Sequence, residues 1–444
     1  MIVMKFGGSS LESAERIRQA ADNIKMLLNE QPVIVVSALG KTTDNLIDAG
    51  NRALLGDLHF ENIVDFHYRI ADELGIEKNE IVLLFNQLKE LLVGISLIKE
   101  QSPKTLDYLQ SFGERISARI FSAYLAKAGL ASRYFDSWDI GFTSDSNFNN
   151  AEILDETYSK INSAFNSLKN NYSFTPVITG FIAKDSFGNI TTLGRGGSDL
   201  TASIVGCALE AREIQVWKDV DGIMTTDPKV VPQARPVKFL SYDEASELAY
   251  FGAKVLHPRS ILPAIKRNIP VRVKSFLNPS DSGTEIVSRV AEGNELLRAI
   301  TFKKNIILVD VVSTRMLGQY GFLAMVFKIF SDLKISVDVV ASSEVSISLT
   351  LDNNVSDLEK LKKELEKIAV VNINAGKTII SLIGNVSRSS EILNKTCSVL
   401  AKNYVNVQMI SQGASKVNIS FIVNDHEAEN CIKELHKVFF EELK

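Results

Sequence analysis

From Val3 to Phe6 the chain runs as a short apolar stretch that reads as a strand. Gly7-Gly8-Ser9-Ser10 then breaks the pattern, and apolar residues recur at helical spacing from Glu12 to Asn29. Ser9 or Ser10 is placed to cap that helix. Pro32 to Ser37 is a second buried-looking strand, again ending in a glycine-bearing loop. Strand, loop, helix, strand, loop is a βαβ unit, which predicts a mostly parallel sheet. A right-handed crossover puts both loops at the carboxyl ends of their strands, on one sheet edge. Amphipathic helix then dominates from Leu46 to Leu130. Strand-like runs return at Pro176–Phe181, Glu213–Trp217 and Pro270–Val273, with a small-residue helix predicted over Leu200–Ala211. The turn-rich block Asn278–Gly283 marks the exit from the first domain.

Beyond it the rhythm changes. Strand Ile306–Val312, helix Tyr320–Leu333, strands Ser336–Val340 and Ser346–Leu351 and helix Leu358–Ile368 are followed by a similar series. That series is strand Thr378–Ile383, helix Ser390–Lys402, strands Asn406–Gln412 and Lys416–Val423, and helix His426–Leu443. Two βαββα copies of about seventy residues each form an internal duplication of ferredoxin-like type.

Length and composition narrow the function classes. The 444 residues suggest about three domain-sized units. With 45% hydrophobic residues there is material for full cores, which excludes wholesale disorder. Lys+Arg at 49 against Asp+Glu at 53 gives a net charge of −4, so nucleic acid is not expected as a partner. Cys207, Cys397 and Cys431 lie too far apart for a disulfide framework or a metal site, which fits a reducing, cytoplasmic setting. The opening MIVMKFGGSS is too short and glycine-rich for a signal peptide, and no membrane span is expected.

Several motifs can carry chemistry. Lys5 stands at a strand end before Gly7-Gly8 and a helix N-terminus, where backbone N–H groups and an ammonium can hold phosphate oxygens. A solvated lysine before two glycines is the plainer alternative. Gly40-Lys41-Thr42 is not a P-loop, because Val35 occupies the position of its first glycine. Gly194-Arg195-Gly196-Gly197-Ser198-Asp199 combines close backbone approach with a guanidinium fork for a carboxylate. A simple capped β–α turn is the competing account. Gly113, within Ser111–Arg115, sits in a helical pattern where glycine costs about 1 kcal/mol, which points to another element packed against it. Its neighbour Glu114 is either a surface carboxylate or a buried partner for an ammonium. Trp217–Gly222 and Thr225–Lys229 form polar loops after a strand, and Phe251–Pro258 carries Lys254 before His257, the latter read as a turn residue.

Taken in order, KFGGSS, VVSALGKTT, SFGERIS, TLGRGGSDLTA, VWKDVDGIMTTDP and FGAKVLHP resemble the aspartate kinases of the amino-acid-kinase superfamily. Met316 to Asp352 resembles the first regulatory ACT domain of the lysine-sensitive type. The resemblance implies an α/β amino-acid-kinase fold, a mostly parallel sheet sandwiched by helices, over 1–290. It further implies two ferredoxin-like ACT domains: 310–377, and 296–309 interleaved with 378–444. It implies ATP as co-substrate with Mg²⁺, L-aspartate as phosphoryl acceptor, and lysine as inhibitor.

By the same resemblance Lys5, Gly7 and Gly8 hold the transferring phosphoryl group and Asp199 organises the cations. Arg195 grips the aspartate α-carboxylate and Glu114 its ammonium, while Ser37, Thr43 and Ser198 line the pocket. Lys218, Asp219, Lys229 and Lys254 meet the nucleotide. The effector site comprises Met316, Gly321, Phe322, Leu323, Ser336, Val337, Asp338, Ser342, Ser343 and Glu344, with Gly318 as a departure from the lysine-sensitive pattern. ACT pairing implies a homodimer or larger. Kinases for other amino acids lack this tandem tail, and the length and missing GxGxxG argue against a fused dehydrogenase. A non-catalytic sensor is the remaining rival. Against it stands the joint presence of Lys5, Glu114, Arg195 and Asp199.

Overall fold

Every residue of the first strand, β1 (Ile2–Phe6), is buried, and so is every residue of β2 (Pro32–Val36). That is why both read as apolar runs, broken in β1 only by Lys5: a parallel strand covered on two faces has no solvent-facing polar side. The computed structural model describes residues 1–169, 174–252, 256–290, 295–313, 320–355, 357–413 and 415–442. These fall into two units, one of residues 1–223, 238–242 and 255–290, the other of 224–237, 243–254 and 291–444.

In the first unit α1 (Ala14–Met26) joins β1 to β2. Its cap is not Ser9 or Ser10 but Ser13, which accepts the Arg16 N–H at 3.3 Å. Ser10 is turned inward instead, donating to the Trp217 carbonyl at 3.2 Å. The helical stretch after β2 resolves into α2 (Thr42–Leu54), α3 (Glu61–Leu74), α4 (Asn79–Ile98) and α5 (Pro103–Lys127). Then come β3 (Ser132–Phe135), β4 (Thr143–Ser144), α6 (Glu156–Lys169), β5 (Thr175–Thr179), β6 (Ile182–Asp185) and β7 (Ile190–Thr192). The unit continues through α7 (Gly197–Ala208), β8 (Ile214–Lys218) and β9 (Phe239–Ser241). Here the chain enters α8 (Tyr242–Tyr250), then returns through α9 (Pro258–Arg267), β10 (Val271–Ser275) and β11 (Thr284–Val287).

The main sheet has eight strands in the order β3-β5-β2-β1-β8-β10-β11-β9, parallel from β3 to β10. A smaller sheet, β4-β6-β7, stands apart from it. The core on one side joins Met4, Phe6 and Val36 to α1, α3, α4 and α5.

By length and composition alone, helix α4 is long and apolar enough to cross a membrane. Its Ile81, Leu84, Leu88, Leu92 and Ile95 form one stripe that belongs to this core. Asn86, Gln87, Lys89 and Glu90 face outward. This is the pattern of a core helix.

In the second unit two long strands, β12 (Leu297–Val312) and β15 (Val370–Gly384), run antiparallel at the centre of a six-stranded sheet. Around them stand α10 (Phe322–Asp332), β13 (Val340–Ser342), β14 (Ser346–Asp352), α11 (Leu358–Glu366), α12 (Ser389–Lys402), β16 (Met409–Ser411), β17 (Asn418–Asn424) and α13 (Asp425–His436). The order is β13-β14-β12-β15-β17-β16. The second half of β12 pairs with β14, while its first half pairs only with the end of β15 that also holds β17. The two copies therefore share the strands β12 and β15. Two cores follow from it, one under α10 and α11 and one under α12 and α13. Residues 336–339, read as strand, are irregular, and the strand itself begins at Val340.

A single boundary at 290 also needs correction. Val231 packs into the core under α12 and α13, Phe251 contacts Ile306 and Leu308, and the Ile300 N–H donates to the Thr225 carbonyl at 2.7 Å. Residues 224–237 and 243–252 thus fold with the second unit.

Candidate active site

Parallel strands deliver their loops to one edge, and in the first unit that edge holds a cavity of about 570 Å³. Lys5, Gly8, Ser37, Thr43, Glu114, Arg195, Ser198 and Asp199 all line it. Two loops meet there because Gly8 has no side chain: a Cβ would lie 2.8 Å from both the Ala38 and Gly40 carbonyl oxygens. Gly113, the glycine that looked out of place in a helix, lies as close to Ala38, 2.8 Å from its Cβ. That approach lets Glu114 reach the loop.

Lys5, near the close of β1, is buried and pairs with Asp199 at 2.5 Å. Asp199 lies in the first turn of α7, whose N-cap is Gly196 in the left-handed region. Burial pushes the Asp199 carboxyl up. The nearby Lys5 and Lys218 ammoniums and His257 outweigh it and hold the group below its ordinary value, hence ionised. Burial lowers the Lys218 ammonium, although Asp199 opposes the shift. Among the described residues no group of three or more acidic, histidine or cysteine side chains could hold a metal alone. One buried, ionised carboxylate fits a Mg²⁺ that arrives on nucleotide phosphates and takes few protein ligands.

Glu114, also in the lining, is 3% exposed. Its Oε1 accepts the Ala38 N–H at 3.1 Å, and its Oε2 is buried without a hydrogen-bond partner. Burial lifts its pKa to about 8, and the bond from Ala38 and the charge of Lys5 only soften the rise. A buried oxygen left unsatisfied in a cavity wall is a place for a cationic donor. Arg195, exposed on the 194–197 turn, offers the complementary charge.

The other expected nucleotide ligands are more scattered. Gly7 is beside Lys5, a Cβ there lying 3.5 Å from Nζ. Asp219 is exposed just after β8. Lys229 is on an exposed turn of the second unit, its N–H donating to Asp227 Oδ1 at 2.9 Å. Lys254 lies outside the described residues, as do Met316 and Gly318 of the effector set.

The sequence reading missed Gln110, Asn149 and Phe181, which also line the cavity. Asn149 and Phe181 have φ of 69° and 68°, which no linear pattern announces. It also missed buried His67, whose Nε2 is 3.2 Å from Thr42 Oγ1 beside the 38–40 loop and whose pKa burial lowers to about 4. His257 opens α9 as the expected turn residue.

In the second unit Gly321 caps α10 with φ of 85°, Phe322 is buried beneath it and Leu323 is exposed. Ser336, Ser342, Ser343 and Glu344 are exposed and Val337 is half-buried. Asp338, expected as a negative charge of the effector site, already has partners. Its Oδ2 is 2.7 Å from Lys303 Nζ, and its Oδ1 accepts the Tyr250 hydroxyl at 2.9 Å.

A phosphate-sized glycine loop beside a buried lysine–aspartate pair, on the strand-end edge of a parallel sheet, defines a kinase of small acids. Residues 1–275 match the amino acid kinase family and residues 380–439 an ACT domain. The chain is 52% identical to the chloroplastic aspartokinase 2 of Arabidopsis thaliana over 457 aligned positions, covering 99% of this chain and 84% of that one. It is similar to E. coli aspartokinase III solved with aspartate and ADP in the R-state, at TM-score 0.81 and 32% identity, and with lysine and aspartate in the T-state, at 0.79 and 32%. Both comparisons cover 99% of this chain and all of the other. The chain belongs to the aspartokinases.

Proposed function

We propose that the cavity of the first unit is where this aspartokinase transfers the γ-phosphoryl group of ATP to the β-carboxylate of L-aspartate. The supporting observation is the set of charges on its lining: a buried Lys5–Asp199 pair, a buried Glu114 oxygen without a hydrogen-bond partner, and the Arg195 guanidinium. Arg195 holds the α-carboxylate as a fork, and Glu114 accepts the ammonium. Ser37, Thr43 and Ser198 supply hydroxyls between them. Lys218, Asp219, Lys229 and Lys254 are assigned to the nucleotide.

The acceptor needs no general base, since a carboxylate with a pKa of about 4 is already ionised near neutrality. Its oxygen bonds to the γ-phosphorus as the bond to the bridging oxygen breaks, and that electron pair leaves with ADP. Two anions must meet in line, so charge neutralisation and positioning dominate. Lys5 and the N–H groups of the Gly7-Gly8 loop supply them from the protein. Mg²⁺ bound with the nucleotide would add further neutralisation, with Asp199 as its protein carboxylate.

The second unit is read as two interleaved ACT domains, 310–377 and 296–309 with 378–444, on the shared strands β12 and β15. Lysine is the proposed inhibitor there, and pairing of these domains gives a homodimer or larger. The thiols Cys207, Cys397 and Cys431 are unbridged, in keeping with a cytoplasmic setting. ADP release from Mg²⁺-ATP, followed with and without aspartate and with millimolar lysine, tests the reading. We expect aspartate-dependent turnover that lysine suppresses. An Arg195→Ala enzyme should keep most of its kcat and lose aspartate affinity. No turnover with aspartate would leave a sensor, or a kinase for another acid, instead.

A further inference from the structure

Helix α5 carries three polar side chains on one face, at 107, 110 and 114. Gln110 and Glu114 line the cavity, but Asp107 does not, and it is nevertheless fully buried. A carboxylate in that position is costly unless donors surround it. Here they do. Asp107 accepts the Asn149 N–H at 3.1 and 3.0 Å, the Thr192 N–H at 2.9 Å and the Thr192 hydroxyl at 2.7 Å. These donors are uncharged and come from the loop at Asn149 and from the end of β7, where it opens into the loop before Arg195, not from a neighbouring cation.

Those loops border the amino-acid end of the site. Asn149 itself lines the cavity, and Thr192 leads through Leu193 into the Gly194-Arg195 turn. The loops also touch each other there. A Cβ on Gly194 would lie 2.8 Å from Asn150 Oδ1 and 3.2 Å from the Asn149 carbonyl. The Ala151 N–H donates to the Thr192 carbonyl at 2.9 Å. Asp107 therefore ties the peptide before Arg195 to the helix that carries Glu114, two turns further along.

We propose that Asp107 is a positioning residue for aspartate: it fixes the spacing between the Arg195 and Glu114 charges that hold the two ends of the amino acid. It touches neither substrate nor phosphate. The proposal rests on the reading of Arg195 and Glu114 given above. A shift of about 1 Å in one arm of such a clamp is enough to lose most of its benefit. A role of this kind appears in the aspartate KM and spares the nucleotide.

The test is steady-state kinetics on the full chain, with near-ultraviolet circular dichroism as the check on folding. In Asp107→Asn one acceptor oxygen becomes an N–H donor and the charge that strengthens the remaining bonds is lost, so Asn149 and Thr192 are held less tightly. Aspartate KM should rise about tenfold while ATP KM stays within about twofold of wild type. Thr192→Val removes the hydroxyl bond alone and should raise aspartate KM about threefold. Thr192→Ser should restore it. The serine rescue and the KM split are readouts that a merely structural defect does not give.

A folded Asp107→Asn enzyme with wild-type aspartate KM overturns the proposal, as does a parallel rise in both KM values. If Asp107→Asn does not fold, the valine and serine pair decides, and equal kinetics in the two overturns it. A wild-type chain without aspartate-dependent turnover, or Arg195→Ala with unchanged aspartate KM, overturns the site reading itself.

Discussion

Glu114 shows how burial sets the chemistry of a single residue. Its carboxyl, ordinarily near 4.5, is held at about 8 by burial, so in the empty site it carries a proton at neutral pH. The unfolded chain would release that proton. Between those two values the folded state therefore binds more protons than the unfolded one, and stability falls as pH rises. The destabilisation is absent below about 4.5 and complete above about 8. Glu114→Gln should thus raise the Tm relative to wild type at about pH 8.5 and have little effect near pH 5, read by thermal melts. Substrate binding runs the other way. An ammonium wants the ionised carboxylate, so aspartate KM should drop as pH climbs from about 6 to 8.5. The glutamine variant should have a higher KM and a flat profile over that range. A wild-type KM independent of pH would remove Glu114 from the ammonium role.

At the scale of elements, the contact between α5 and the 38–40 loop is what brings Glu114 to the cavity. Gly113→Ala would place a methyl 2.8 Å from the Ala38 Cβ. Better helix propensity gains about 1 kcal/mol, while overpacking costs about 1–3 kcal/mol. The balance predicts a lower Tm, and a higher aspartate KM as the Ala38 N–H is pushed away from Glu114, checked by melts and kinetics on one preparation. An unchanged Tm would mean the loop gives way freely.

This contact also shows what was legible beforehand. A glycine inside a helical period signals close approach from sequence alone, and β1, β2 and α5 were readable because their apolar patterns are local. The Ser13 cap was not, because the choice among neighbouring hydroxyls depends on Ser10 reaching a carbonyl more than two hundred residues away. The shared strands β12 and β15 were legible only in part. Each half looks like a strand of its own copy, and pairing across both copies is a tertiary fact. Asn149 and Asp107 escaped notice for the same reason, since a buried carboxylate bound by distant peptide groups leaves no motif.

For the whole molecule the question is how an effector amine would be felt. Asp338 already holds an ammonium, that of Lys303, which also contacts Asp352 at 2.6 Å. Burial works to lower the Lys303 pKa, but the bonds to the two carboxylates prevail and raise it. The other partner of Asp338, Tyr250, ends α8, and the chain passes from the first unit to the second within that helix. Tyr242 begins it, donating its hydroxyl to the Ile269 carbonyl at 2.7 Å. An effector lysine that takes Asp338 must therefore displace an internal lysine first, and in doing so disturbs the bond that fixes the end of α8. Competition of this kind weakens apparent affinity by the stability of the internal pair. A charge-assisted hydrogen bond contributes about 1.5–3 kcal/mol, so Lys303→Met should lower the half-inhibitory lysine concentration about tenfold or more. Asp338→Asn should abolish inhibition and leave kcat intact. Inhibition curves for the three chains, measured at saturating ATP, decide it. If Lys303→Met and wild type are inhibited alike, the effector amine is held elsewhere, and Lys303 serves only to neutralise Asp338 and Asp352.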